Sequence, residues 1–333
     1  MVDPWKSPTY ADSTMGDHID GEDLVVRRAA VEALGPLNGT VVAVDAKSGR
    51  VLTIVNQKTA LARGYTPCST VKIFVGLAGL NEGLIDRDTP VAITRTLSRN
   101  LTEALAKSDN PYFARLGQKL GFDRVLYYAR LLGLGEPSLL EDPAEKGGTL
   151  PRQPPSDGVG MMSSFGHGIS LTPLQLAAAL GTLANGGTLY HLQYPRSRAD
   201  LDNFVPRAKR HLDISGWLGD LKPGLMAAVE QGTARRAGYN QQATIYGKTG
   251  TCTDTASPTH LGWFGSFNEA EQNPLAVVVL LTGGRPINGP VASGVAGHIY
   301  RTLTEQGYFG AAKPDAPSAG SPVALAVPQL LAR

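Results

Sequence analysis

Short β-rich runs stand at both ends of this chain with helical patterns between them, and that layout constrains the fold more than any other feature. Near the start, residues 39–46 (GTVVAVDA) and 50–56 (RVLTIVN) are β-branched runs joined by a Lys-Ser-Gly turn, which reads as a hairpin. From Gln242 onward the pattern returns to strands: ATIYGKTGT, HLGWFGSF and PLAVVVLLTGG, followed by a helical stretch at 291–303. Between these ends, LTEALAKS, PYFARLGQKLG, DRVLYYARLLG and TPLQLAAALGTLANGG each carry helical spacing and stop near a glycine or a polar residue. The expected fold is mixed α/β: one antiparallel five-stranded sheet assembled from both chain ends, flanked by helices, with a helical insertion. Residues 1–35 read as an N-terminal tail and lead-in helix, 36–308 as the folded domain, and 309–333, biased to Ala, Pro and Ser, as a disordered tail.

Composition narrows the function classes. With 333 residues, 42% apolar and 18% charged, the chain can bury a substantial core. Its 31 basic and 29 acidic residues are spread along it, so a nucleic-acid or anionic-membrane footprint is not expected and a small neutral-to-acidic ligand is. No run approaches the ~18–20 apolar residues of a membrane span, and the opening MVDPWKSPTYADSTMGD lacks the layout of a signal peptide. The chain as given reads as soluble, with any native anchor not visible. Its two cysteines, Cys68 and Cys252, exclude a disulfide-rich scaffold and a four-thiolate zinc site. The six histidines show no ligand spacing such as His-x-x-x-His, so no metal is expected.

Three short motifs carry the chemistry. Ser69-Thr70-Val71-Lys72 opens a largely apolar helical stretch, residues 70–83, so serine and lysine share one helix face. The apolar Ile73, Phe74 and Val75 beyond it predict burial, which lowers an amine's pKa and makes it a usable base. Ser108-Asp109-Asn110 stands between a helix and Pro111, where helix capping alone would also explain it. Lys248-Thr249-Gly250, extended by Thr251, lies on a strand; a lysine, hydroxyls and a glycine allowing close backbone approach suit an extended anionic peptide. Each motif is common alone. Ser-x-x-Lys, then Ser-x-Asn about 40 residues on, then Lys-Thr-Gly late in the chain is the order found in penicillin-binding proteins and class A β-lactamases.

From about residue 39 to 303 the chain resembles the transpeptidase domain of penicillin-binding proteins, closest to the class B, monofunctional type. GHGISLTPLQLAAALGTLANGG, QGTARRAG ahead of GKTGT, and GWFGSF resemble further segments of that family. The resemblance implies a β-lactamase/transpeptidase-like fold and a D,D-transpeptidase that cross-links peptidoglycan stem peptides through a Ser69 acyl-enzyme and is acylated by β-lactams. It also implies an extracytoplasmic setting. Ser69, Lys72 and Ser108 would be catalytic. Asn110, Lys248, Thr249, Gly250 and Thr251 would bind substrate, and the backbone N–H groups of Ser69 and Thr251 would form the oxyanion hole. His167 would border the cleft or simply pack. The alternatives on the same scaffold are a D,D-carboxypeptidase or serine β-lactamase, and a sensor that acylates without turnover. Two departures qualify the likeness: no pedestal domain is visible, and YTPCSTVKI also resembles class D β-lactamases around their nucleophile, although the second motif there normally ends in an apolar residue where this chain has Asn110. Against class A, Glu136, Glu141 and Glu145 are followed four residues on by Leu140, Glu145 and Thr149 rather than the Asn of a deacylating site. The resemblance implies no organic cofactor. In this reading Cys68 and Cys252 flank the two oxyanion donors, Ser69 and Thr251, which brings them close enough to bridge. Some class A carbapenemases carry a disulfide at matching positions.

Overall fold

The computed structural model describes residues 7–238 and 244–310. Helix α1 (Leu24–Leu34) starts where the Asp23 carboxylate accepts from Val25 N and Val26 N. Strands β1 (Gly39–Asp45) and β2 (Val51–Val55) then form the expected hairpin, with Val42 opposite Ile54. Helix α2 (Gln57–Ala62) leads to a 3-10 turn at Cys68–Val71, which runs directly into α3 (Lys72–Asn81). The ribbon β3 (Val91–Ala92) and β4 (Ser98–Arg99) precedes α4 (Leu101–Lys107), α5 (Asn110–Leu120) and α6 (Phe122–Leu131). After a long irregular stretch come α7 (Gly158–Phe165) and α8 (Pro173–Ala184). A hairpin not foreseen from the sequence follows, β5 (Thr188–Tyr190) with β6 (Ala208–His211), enclosing α9 (Arg198–Asp202). The chain closes with α10 (Ser215–Glu230), β7 (Ile245–Thr253), β8 (His260–Asn268), β9 (Leu275–Gly283) and α11 (Gly289–Glu305).

The five strands of the main sheet lie in the order β2-β1-β9-β8-β7, antiparallel throughout, and the chain ends meet where β1 pairs with β9. The two-ended assembly expected from the sequence is therefore present. Its stability comes from burial on both faces. Ala276, Val278 and Leu280 of β9 enter the core shared with α3, α5 and α8, while Leu275, Val277, Val279 and Leu281 enter a second core beneath α1 and α11. A strand covered twice must be apolar at every position, which is why this one reads as an unbroken run rather than an alternation. Helix α8 is held at its start by a capping box, Thr172 Oγ1 to Gln175 N and Gln175 Oε1 to Thr172 N, worth about 1 kcal/mol.

The N-terminal segment departs from the tail expected of it. From residue 7 it is tied to the domain. Ala11 N donates to Pro36 O, Ser13 Oγ to Leu37 O, and Asp17 receives Asn56 N, Gln57 N and the Arg27 guanidinium. Glu22 is buried and accepts from Thr53 Oγ1 and Ile54 N of β2. The polar composition that suggested solvation instead satisfies donors around the sheet's β2 edge. The C-terminal tail expected over 309–333 lies, from 311 on, outside the described residues, as do 242–243, where the sequence opens the strand that becomes β7.

Candidate active site

The nucleophile candidate is positioned by its approach segment. Tyr65 and Leu171 exchange backbone hydrogen bonds of 2.8 Å, and Trp263 Nε1 on β8 donates to Thr66 O at 2.9 Å. The buried Asp254, just past β7, accepts from Thr66 N, Thr66 Oγ1 and the Arg63 guanidinium. Cys68 follows in the left-handed region, φ 51°, and Ser69 stands on the 3-10 turn one turn before Lys72. Cys68 and Cys252 form a disulfide with Cα atoms 5.6 Å apart, as the sequence reading proposed. Strand β7 approaches this turn so closely that a Cβ on Gly250 would sit 3.1 Å from Pro67 O and 3.2 Å from Cys68 Cβ. The glycine of Lys-Thr-Gly is what lets the edge strand reach the serine.

Lys72 and Lys248 are both fully buried and converge on Ser108. Lys72 Nζ donates to Ser108 O (2.7 Å), Ser108 Oγ (3.1 Å) and Asn110 Oδ1 (2.5 Å). Lys248 Nζ donates to Ser108 Oγ (2.8 Å) and Thr249 O (3.0 Å). Burial pushes the Lys72 amine down to about 7, with Asp109 pulling it partway back. Burial, and then the repulsion of Lys72, holds Lys248 well below the usual ammonium range. Two ammonium groups sharing one hydroxyl away from water disfavour each other, so proton sharing is built into the pair.

The Ser108 turn shows how capping and chemistry coexist. Ser108 closes α4 in the left-handed conformation, φ 56°, which aims its carbonyl and hydroxyl at the lysines. Asp109 caps α5, its Oδ1 accepting from Tyr112 N at 2.9 Å, and Asn110 opens that helix. Capping by Asp109 and the contacts of Ser108 and Asn110 with the lysines thus occur in one turn, on different residues.

The structure thus brings Ser69, Lys72, Ser108, Asn110, Lys248 and Gly250 to one place. The lysine's donors run to the second motif rather than to Ser69, a linkage the spacing of Ser-x-x-Lys does not reveal. Thr249 Oγ1 lies 2.6 Å from Thr233 Oγ1, and Thr251 Oγ1 accepts from Gly289 N at 2.8 Å. Thr251 is exposed on the edge strand, where an extended peptide can add to the sheet. His167 pairs with Asp157 and lies against Phe165, ring centroids 5.9 Å apart. Thr233, Asp254 and Arg63 are the supporting residues that sequence reasoning missed. Thr233 lies in the QGTARRAG segment, which the resemblance flagged as a whole without a role for the hydroxyl; Asp254 and Arg63 have no local signature, because they meet across 191 residues of chain.

A serine opening a buried helix, two amines converging on a second serine, and an edge strand crossing in front thus lie together. The profile described as "Penicillin binding protein transpeptidase domain" matches residues 39–305, and the chain belongs to that family. It is 27% identical over 291 residues to stage V sporulation protein D of Bacillus subtilis, covering 77% of this chain and 44% of that protein. It is 25% identical over 330 residues to the peptidoglycan D,D-transpeptidase PbpA of Mycobacterium tuberculosis, covering 81% of this chain and 67% of that one. The chain therefore spans between about half and two thirds of these relatives' length. Among solved structures it is similar to PBPA from Mycobacterium tuberculosis (TM-score 0.71, 22% identity, 85% of this chain and 81% of that one). It is likewise similar to Pseudomonas aeruginosa PBP2 in complex with WCK 5153 (TM-score 0.69, 23% identity, 86% and 77%). These likenesses support the fold. Among the described residues no helix is long and apolar enough to cross a membrane.

Proposed function

We propose that this chain is a D,D-transpeptidase domain that cross-links peptidoglycan stem peptides through an ester on Ser69, works outside the cytoplasm, and is acylated by β-lactams. The observation that carries this reading is the buried Lys72 amine, pushed down to about 7, one turn from Ser69 and bonded to Ser108 and Asn110. At neutral pH a large fraction of that amine is unprotonated and able to accept a proton.

In the proposed cycle neutral Lys72 takes the Ser69 proton as Oγ attacks the carbonyl of the penultimate D-alanine. The oxyanion is held by the N–H groups of Ser69 and Thr251, each donor worth about 3 kcal/mol in such sites. Collapse breaks the amide, and the proton travels from Lys72 through the Ser108 hydroxyl to the departing D-alanine nitrogen. An amine of a second stem peptide then displaces Ser69. Asn110 orients the substrate amide. Lys248 pairs with the terminal carboxylate, whose arrival supplies the counter-charge that the buried amine lacks, and Thr249 and Thr251 flank it. With a β-lactam the leaving nitrogen stays tethered, so the ester waits for water.

The Lys72 assignment fixes a pH dependence. A base with a pKa near 7 is mostly protonated below it, so the second-order rate of acylation by benzylpenicillin falls about tenfold per pH unit below 7 and levels off above it. Lys72→Ala lowers that rate by about 10²–10⁴-fold with little change in pre-covalent binding, whereas Lys248→Ala mainly weakens binding. Stopped-flow acylation across pH reads both effects, and a wild-type profile flat through 7 refutes the base assignment.

The adduct is expected to be long-lived. Glu145 accepts from Ser138 N and Leu139 N, and Glu136 is paired with Lys209 and Arg210, so both carboxylates are committed to structural contacts. Fluorescent penicillin should stay on the protein for many minutes after excess label is removed. Rapid, multiple-turnover nitrocefin hydrolysis would instead make the chain a β-lactamase.

A further inference from the structure

A cleft of about 630 Å³ opens between the end of α6, the irregular stretch that follows it, and the β5–β6 hairpin. Ser69, Lys72, Ser108 and Lys248 do not line it; its charged lining is Arg130, Glu136, Arg152 and Arg210. The three arginines come from separate, anchored pieces of backbone. Arg130 stands in the last turn of α6, and Arg210 lies on β6 opposite Leu189. Arg152 follows the point where Thr149 and Ser170 exchange backbone hydrogen bonds of 2.8 Å.

The charge in this cleft is uneven. Glu136 is its only carboxylate, and that group is already taken by the Arg210 guanidinium and by Lys209 Nζ at 3.1 Å. Arg210 is locked further by donating to Arg130 O at 3.0 Å. The nearby Glu145 turns its carboxylate to the backbone of Ser138 and Leu139. Among the described residues Arg130 and Arg152 have no carboxylate partner, and both are exposed at the mouth. His191, close by, is held below its ordinary value by burial and then by Lys209. Four cationic groups thus surround one carboxylate in a concavity of small-molecule size.

We propose that this cleft is a binding site for a ligand bearing at least two negative charges, of phosphate or paired-carboxylate type. Arg130 and Arg152 contact the ligand, and the Arg210–Glu136–Lys209 cluster forms a fixed floor. Guanidinium forks match the oxygens of either group with two parallel hydrogen bonds, which point charges alone do not provide. The site is separate from the carboxylate-binding role given to Lys248.

Calorimetric titration of the whole chain at low salt, with inorganic pyrophosphate and separately with a γ-glutamyl-glutamate dipeptide, tests this. At least one of the two should bind at one to one. Arg130→Gln and Arg152→Gln, both at exposed positions, should each weaken binding about tenfold, and Lys248→Ala should leave it unchanged. Affinity should fall as salt is raised. Binding of pyrophosphate alone identifies a phosphate ligand, and binding of the dipeptide alone a carboxylate one. Absence of binding by both, or binding that survives both arginine substitutions and vanishes with Lys248→Ala, overturns the proposal.

Discussion

Replacing Ser69 with alanine should abolish covalent labelling by a penicillin while leaving the fold intact. In serine acyl enzymes the nucleophile acts as one unit with its base, and its removal costs up to about six orders of magnitude in rate, so no adduct should be detectable on the time scale of wild-type labelling. Neighbouring hydroxyls are poorly placed to substitute. Thr70 is buried and its Oγ1 donates to Pro67 O at 2.7 Å, and Ser108 Oγ is bracketed by both lysines. The turn itself is held by the disulfide, by Trp263 and by Asp254, none of which depends on the Ser69 side chain. Thermal unfolding of Ser69→Ala should therefore shift by no more than a few degrees. Intact-mass measurement of wild type after benzylpenicillin should show one adduct, and peptide mapping should place it on Ser69. An adduct on Ser108, or labelling of Ser69→Ala at the wild-type rate, would sink the assignment.

What the sequence reveals and what it hides follow from the range of each interaction. The hairpin of β1 and β2 and the unbroken apolar run of β9 are written locally, because period and turn residues lie within a dozen positions. The burial of Lys72 is legible too, since Ile73, Phe74 and Val75 leave α3 no solvated face. The sharing of Ser108 by two lysines is not legible: Lys248 reaches it across 140 residues, and the direction of Lys72's donors depends on a left-handed serine that no propensity marks. The same holds for Asp254 on Thr66, for Thr233 on Thr249, and for the cleft where α6 and β6 bring Arg130 and Arg210 together. In the N-terminal segment composition misled, because a polar side chain that satisfies a buried backbone donor and one that faces water look alike in a sequence.

The second large effect is expected at the Cys68–Cys252 bridge. It closes a loop of 184 residues, for which chain-entropy bookkeeping gives about 5 kcal/mol, with measured values for native disulfides nearer 2–5 kcal/mol. For a domain of this size that corresponds to a fall of roughly 3–8 °C in Tm on reduction. The consequence for chemistry is more specific. Cys68 is held in the left-handed region immediately before the nucleophile, a conformation that costs an L-residue about 1–2 kcal/mol and that its bond to β7 helps to fix. Without the bridge, the turn bearing Ser69 N–H and the strand bearing Thr251 N–H are no longer covalently tied, and the two proposed oxyanion donors lose their shared anchor. The paired substitution Cys68→Ser, Cys252→Ser should therefore lower Tm and also slow penicillin acylation at temperatures well below the melt. Thiol titration of denatured, non-reduced wild type should find no free thiols, and two after reduction, a state that fits an oxidising compartment. Two free thiols before reduction would show that the bridge does not form, and a paired variant that melts and acylates like wild type would show that it neither stabilises the domain nor positions Ser69.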